Sequence, residues 1–465
     1  MKAIYYLFSV KDAYFTDLSK ILKYKKTIDT FYGLACGRTP VLEDPLYTQI
    51  SYISDLIKKK EEEVDIAFLE TIESTYDICL SEIIHVDRQL MRLNKKKRYY
   101  VAQEMIKLFI EETTRYKISV VFVEAIDDFM SFFANIYCHY QGIKYLCLAD
   151  TCIDLGTFFT DRLDLGPKNL EQKFEEALCL IKQGPINALD IKRKLTAYID
   201  AKKRPVYCTD ITLLYKTFAW SDIKRFFNYL YLCIKDKHGM NNDVHPLSLP
   251  YLRCRRIIRR LRYSRFLKKN QITLLQAKQM KYLIYPLHVE PEASTLVLGR
   301  WFNDQKRIIE MISKNLPAGY SLIIKEHHGA LGKRALSFYK EVNHYHNVYY
   351  VADTIDSYEL IRYSAGVVVI SSTMAVEAMM MNKPVLCFGD KFYNISKNVY
   401  KARDFSMLRN SLDQLLHHQF DEHDILALFY LLSKEGKDLG YGSPTNYQDK
   451  HLEKIAIEVG MVINE

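Results

Sequence analysis

Ser321-Leu-Ile-Ile324 runs into Lys325-Glu-His-His328, Gly366-Val-Val-Val-Ile370 into Ser371-Ser-Thr373, and Pro384-Val-Leu-Cys-Phe388 into Gly389-Asp390. Short β-branched runs bounded by polar residues and separated by helical spacers read as parallel strands buried on both faces. The spacers fit. Leu336 to Tyr345 is long enough for a helix, and Asn347 to Val351 reads as a further strand. Asp356 or Ser357 caps the next helix, with Leu360 and Ile361 on its inner side. Thr373 to Met381 places Met374, Ala375, Ala378 and Met379 at helical spacing, and Asn382 is a natural stop. Repeated strand–helix units of this kind build a Rossmann-like half through right-handed crossovers. The carboxyl ends of its strands line one crevice. The three polar clusters are therefore expected to converge on one site between Tyr320 and Tyr393.

Each cluster has a chemical reading and an ordinary one. Lys325, Glu326, His327 and His328 put a cation and imidazoles at a strand end, where they can neutralise a phosphate leaving group; a polar surface turn is the alternative. Ser371, Ser372 and Thr373 offer hydroxyls beside the free N–H groups of a helical turn, an anion site or simply an N-cap. Glu377, one turn on, reaches a ribose or pairs with a lysine. His288, Glu290 and Glu292 follow the strand Tyr282 to Pro286, as acid and base or as a solvated loop.

A chain of 465 residues exceeds one ordinary core, so two or three domains are expected. The formal charge of +9 favours an anionic partner without naming it. Glycine-rich phosphate loops are excluded: there is no G-x-G-x-x-G, and Gly332-Lys333-Arg334 lacks the rest of a P-loop. No nucleophile elbow, zinc spacing or kinase signature is present, and no metal is expected. The ten scattered cysteines contain no C-x-x-C pair, consistent with reduced thiols in a cytoplasmic protein. Ala3 to Val10 reads as a first strand rather than a signal peptide, and no run approaches the ~20 apolar residues of a membrane span.

Residues 1 to about 160 form a second α/β unit. Val64 to Leu69 is a possible strand, and Ile118 to Val123 a clearer one with Glu124, Asp127 and Asp128 at its carboxyl end. A helix from about Phe129 to Tyr140 and the run Ile143 to Leu148 complete the unit. Residues 167 to about 270 turn helical and charged, an expected insertion of the amino-terminal domain that includes a helix over Leu213 to Ile234. Arg253 to Lys269 holds nine Lys or Arg residues with Ile257, Ile258, Leu261, Phe266 and Leu267 among them. Two readings stay open: a basic amphipathic helix against anionic lipid, or a solvated helix with an apolar underside. No nucleic-acid module surrounds the run. Residues 404 to 434 read as helical and His451 to Val462 as a last helix. The expected domains are 1–274, 275–441 and a carboxyl-terminal helix in 442–465 that packs back on the first domain.

The string Tyr285-Pro-Leu-His-Val-Glu-Pro-Glu292, Phe302-Asn-Asp-Gln305 and Ile324-Lys-Glu-His327 resembles the carboxyl-terminal half of bacterial capsule polysaccharide biosynthesis proteins. Gly329 to Arg334, Tyr339, Asp356 to Ile361, Ser372-Thr373, Glu377-Ala378 and Lys383 to Tyr393 continue the resemblance. The amino-terminal half is similar only around Val120 to Leu148 and Arg204-Pro205. The family includes β-Kdo transferases, so the resemblance implies a GT-B arrangement: two Rossmann-like domains facing across a cleft. It implies a metal-independent glycosyltransferase of surface polysaccharide synthesis with no cofactor. Its co-substrate would be a nucleotide sugar, with CMP-linked Kdo as a candidate, and its acceptor a glycan or lipid-linked glycan. The place of work would be the cytoplasmic face of the inner membrane. On that analogy Lys325 and His327 contact the donor phosphate, and Ser371, Ser372 and Thr373 hold phosphate or ribose; His288, Glu292, Glu326 and Glu377 are the further donor-site candidates. Glu124 and Asp127, with His327, are the catalytic candidates. Two positions depart from the family: His328 stands where proline is usual, and Ser372 where glycine precedes the threonine. A glycerol-phosphate transferase, a nucleotide-sugar epimerase and a non-catalytic assembly protein are the rival readings.

Overall fold

The structure, a computed structural model, describes residues 2–8, 12–59, 63–153, 155–201, 227, 249–439 and 449–464. The amino-terminal sheet contains β1 (Ala3–Phe8), β2 (Thr30–Ala35), β3 (Gln49–Tyr52), β4 (Val120–Val123), β5 (Lys144–Asp150) and β6 (Thr157–Thr160). Their order is β3-β2-β1-β4-β5-β6, all parallel except β6 against β5. The chain thus steps outward from β1 in one direction, returns, and steps from β4 in the other. The β1/β4 gap is a topological switch point, where open α/β sheets bind ligands.

The carboxyl-terminal sheet repeats this plan with β7 (Gln271–Ile272), β8 (Lys281–Pro286), β9 (Tyr320–Lys325), β10 (Val348–Val351), β11 (Gly366–Val369), β12 (Val385–Cys387) and β13 (Val399–Lys401). The order is β13-β12-β11-β8-β9-β10-β7, all parallel. Here the reversal falls between β8 and β11. The strands are continuous apolar runs because helices cover both faces of the sheet: Ile323, Val367, Val369 and Cys387 lie in one core, Leu322, Ile324, Val368 and Leu386 in the other. Asp304 caps the helix Gln305–Asn315 and Asp356 caps Ser357–Tyr363, each side chain accepting a first-turn N–H.

The chain differs from the sequence reading where long-range packing decides. Val64 to Leu69 is not a strand: Asp65 caps a helix, Ile66–Tyr76, by accepting the Phe68 N–H at 3.0 Å. The described helices of the 167–270 stretch pack on the carboxyl-terminal domain. Leu170–Lys182 and Ala188–Asp200 bury Phe174, Leu178, Ile191 and Leu195 in the carboxyl-terminal core beside Glu422–Glu435. The basic helix, Leu249–Asn270, also joins that domain, and β7 extends its sheet ahead of residue 275. Residues 404 to 434 form two helices, Leu408–Leu416 and Glu422–Glu435. The last helix, Asp449–Asn464, packs Leu452, Ile455 and Val459 into the amino-terminal core. The expected helix over Leu213 to Ile234 and the pair Arg204-Pro205 lie outside the described residues.

The return path crosses the outgoing one at two glycines. Thr157 pairs with Lys437, and a Cβ on Gly156, whose φ is +104°, would lie 2.5 Å from the Lys437 carbonyl oxygen. A Cβ on Gly436 would lie 2.1 Å from that of Leu155. Only glycine permits so close a passage of two backbones.

Candidate functional site

β8 lies between β9 and β11, so three polar loops leave neighbouring strand ends. At a strand spacing of about 4.8 Å, the ends of β9 and β11 are roughly 10 Å apart. His288 fills the gap. Its buried imidazole accepts the Ser371 N–H through Nε2 at 3.3 Å, tying the β8 loop to the β11 loop. The Gln305 side chain clamps the His288 backbone, accepting its N–H at 2.7 Å and donating to its carbonyl at 3.0 Å. Burial, then the neighbouring His327 and Arg334, lowers the His288 pKa to about 3. The ring is neutral, and Nε2 is the acceptor, so the proton sits on Nδ1.

The β9 loop is organised by an ion pair that no local pattern announces. The Glu326 carboxylate is buried and accepts Arg334 Nε at 3.1 Å, the Tyr339 hydroxyl at 2.5 Å and the His327 N–H at 2.8 Å. Arg334 also donates to Glu290 at 2.6 Å and to the His288 carbonyl. Desolvation raises the Glu326 pKa against the opposing pull of Arg334. Glu326 and Arg334 thus connect the β8 and β9 loops. Lys325 turns away: its ammonium donates to the Ile355 carbonyl at 2.6 Å and to Ser357 Oγ at 2.8 Å, holding the loop after β10.

His327 is the accessible member of the cluster. Its Nδ1 accepts the Gly329 N–H at 3.0 Å, which leaves the neutral ring's proton on Nε2. The residue is exposed as a whole but its ring is partly enclosed, and that desolvation, then His328, Lys333, Arg334 and Lys325, lowers its pKa to about 4. That crowd of positive groups is what an anionic ligand would meet.

On β11, the Ser371 hydroxyl donates to the Ser294 carbonyl at 2.6 Å, Ser372 Oγ accepts the Met374 N–H at 3.2 Å, and the Tyr393 hydroxyl donates to the Ser372 carbonyl at 3.0 Å. Thr373 caps the seven-residue helix Met374–Met380, which carries Glu377. Glu292 caps Ala293–Leu296, accepting the Ser294 hydroxyl at 2.9 Å, and its charge faces Lys333.

The β8 loop continues into the other domain. Val297 is buried in the amino-terminal core, and Arg300 pairs with Glu82 and lies 5.4 Å from the centre of the Phe132 ring. Phe132 is in the first turns of Phe129–Gln141, whose cap Asp128 follows Asp127. Around it stand four carboxylates. Asp87 is saturated, accepting the N–H groups of Gln89, Leu90 and Phe129. Asp128 accepts the Ser131 N–H at 2.7 Å. Asp127 bonds Arg88 at 3.1 Å, yet burial and the charge of Asp128 raise its pKa to about 7, Arg88 opposing and Glu124 adding. Glu124 is near enough to both Asp12 and Asp127 for its charge to raise their carboxyl pKa values. A carboxyl whose pKa is raised to about 7 can take up a proton near neutral pH.

Sequence reading missed Arg334, Tyr339, Gln305 and Arg88 as organisers of these groups. A basic residue eight positions from a buried acid carries no periodic signal. Among the described residues no group of three or more His, Cys, Asp or Glu side chains is placed to hold a metal ion. A cavity of about 630 Å³ lies elsewhere, between Ala188–Asp200 and Glu422–Glu435.

The two reversed sheets define a protein of two Rossmann-like domains. Residues 222–397 match the family described as capsule polysaccharide biosynthesis protein. No curated protein matches the chain. Among solved structures it is similar to Thermosulfurimonas dismutans KpsC, a beta Kdo 2,7 transferase, at 13% identity over 69% of this chain and 78% of that one, with a TM-score of 0.31. An S. aureus MnaA–UDP structure matches at 11% identity over 100% and 97% of the two chains, TM-score 0.29. A Neisseria meningitidis UDP-GlcNAc 2-epimerase bound to UDP-GlcNAc matches at 14% identity over 100% of each, TM-score 0.27.

Proposed function

We propose that the protein is a glycosyltransferase of capsule or related surface-polysaccharide synthesis that takes a sugar from a nucleotide donor. The observation that carries the reading is the meeting of the β8, β9 and β11 loops at His288, within the segment that matches the capsule family. The donor phosphate would lie against the positive crowd at His327, whose Nε2–H donates to a phosphate oxygen. The hydroxyls and backbone of Ser372 and Thr373, and the Glu377 carboxylate, would face the rest of the nucleotide. Lys325, Glu326 and Arg334 hold this surface in shape rather than touch the ligand.

Across the cleft, Asp127 or its neighbour Glu124 would take the proton of an acceptor hydroxyl as that oxygen attacks the anomeric carbon. The bond from that carbon to the donor phosphate breaks, and the phosphate leaves with the electron pair. Positive potential from Lys333 and Arg334 around His327 would steady the leaving group without a metal. The donor could be CMP-linked, and the acceptor glycan or lipid-linked.

Calorimetry against CMP, UDP and GDP tests the reading, followed by product analysis with the matching nucleotide sugar. One nucleotide is expected to bind, and His327→Ala to lose transfer while keeping its melting profile. Binding of none, or full activity in His327→Ala, would overturn the assignment. Epimerised donor or transferred glycerol phosphate in place of a new glycoside would replace it by one of the rival chemistries.

A further inference from the structure

The basic helix Leu249–Asn270 has two faces that differ in their company. Its inner face is spent on the fold. Tyr263 and Leu267 are buried in the carboxyl-terminal core, and Phe266 packs beside them. Arg256 donates to the carbonyls of Leu331 at 3.1 Å and Gly329 at 3.3 Å, and Arg259 to that of Lys333 at 2.6 Å. The outer face carries Tyr251, Cys254, Ile258 and Leu261, spaced by three or four residues and so aligned on one side of the helix. Tyr251 is 65% exposed, Ile258 49% and Leu261 54%. Arg255, Arg262, Arg265, Lys268 and Lys269 are exposed on the same arc, and none of the helix's 22 residues is acidic.

A merely solvated helix needs its apolar residues only on the inner side. Here a second apolar stripe faces water between rows of cations, an arrangement suited to one environment that is anionic at its surface and apolar just beneath. No helix among the described residues is long and apolar enough to cross a membrane, so contact would be in the plane of the interface. We propose that the outer face of Leu249–Asn270 docks on an anionic lipid bilayer, with the apolar stripe in the headgroup boundary and the flanking cations on lipid phosphates. The consequence for the site is geometric. Arg256 and Arg259 hold the carbonyls of the Gly329–Lys333 loop, which joins His327 to Arg334, so docking sets the candidate donor site beside the membrane surface. The proposal stands on the helix alone and survives if the transferase reading fails.

The test is sedimentation of the full chain with phosphatidylcholine vesicles, with and without phosphatidylglycerol. Binding is expected only to the anionic vesicles and to weaken as salt rises. Arg255→Glu/Arg262→Glu and, separately, Ile258→Ser/Leu261→Ser are each expected to weaken it by about tenfold or more, since both charge and apolar burial contribute. Tyr251→Ser, at the exposed start of the helix, is the second apolar variant should the double one unfold. No binding to anionic vesicles would overturn the proposal. So would binding that falls with charge reversal but is unchanged in both apolar variants; retention of all variants on a heparin or RNA column would then identify a polyanion-binding face instead.

Discussion

Replacing Arg334 by methionine would show whether a buried ion pair holds the site's two principal loops together. The Glu326 side chain has no exposed surface and that of Arg334 only 7%. Methionine keeps the stem but leaves Glu326 with the Tyr339 hydroxyl and the His327 N–H. Removing one partner of a buried pair costs about 3–5 kcal/mol. Desolvation already raises the Glu326 pKa, so the stranded acid takes a proton and the lower value, ~3 kcal/mol, is expected. Glu326→Gln leaves Arg334 its bond to Glu290 and should cost ~1.5–3 kcal/mol. In the double variant no charge is orphaned within the pair, so it should lose about 1–3 kcal/mol less than the sum of the single changes. At about 2–4 °C per kcal/mol for a domain of this size, Arg334→Met should lower the carboxyl-terminal transition by roughly 6–12 °C in calorimetry. The amino-terminal transition should stay in place. A shift under ~2 °C, or strict additivity in the double variant, would refute the idea that this pair organises the loops.

Three further outcomes can be checked. Asp127→Asn should cut turnover by about 10²-fold or more and remove the limb near pH 7 from the pH–rate profile; Arg88→Gln, removing the charge that lowers the Asp127 pKa, should move that limb upward. His288 has a pKa of about 3 when folded against ~6.5 unfolded, so below 6.5 the unfolded chain binds the extra proton and stability falls as the pH drops. About 2 kcal/mol should go from the carboxyl-terminal domain between pH 6.5 and pH 5, read as a falling urea midpoint, and His288→Asn should flatten that slope. Gly156→Ala pushes a Cβ against the Lys437 carbonyl at a φ of +104° and should cost ~1–3 kcal/mol, seen as a lower thermal midpoint.

What was legible in the sequence follows from where each residue's partners lie. The runs at Ser321–Ile324, Gly366–Ile370 and Pro384–Phe388 declared themselves because both faces of their sheet are covered, which forces apolar residues at consecutive positions. β2, with Gly33 inside it, and the short edge strand β3 carry no such run and were not anticipated. Val64 to Leu69 misled for a local reason: apolar residues surround Asp65, and that aspartate is a helix cap rather than a strand residue. The amphipathic faces of Leu170–Lys182 and Ala188–Asp200 were readable, but not the domain they pack on. Their partners, Ile425 to Leu432, come more than two hundred residues later.

The site shows the same division between local and assembled information. The strand end gave Lys325 to His328 as one polar cluster, and the structure separates its members: Lys325 to the loop after β10, Glu326 into the ion pair, His328 half-buried in a short helical turn, His327 to the surface. His327 is the most exposed of the four, because the charges of Lys325 and Glu326 are buried and each is spent on a partner. His288 gains in the opposite sense. On spacing it is one polar residue of a loop, but the order of strands, which no local pattern encodes, sets β8 between β9 and β11. Position alone makes it the residue that touches both neighbours, through the Ser371 N–H on one side and Arg334 on the other. A ligand bound across this gap would therefore meet one residue whose imidazole holds the β11 loop and whose carbonyl holds Arg334 of the β9 loop. It follows that substitutions at His288 should disturb binding at His327 and at Ser372 together, whereas changes at either of those residues should stay local.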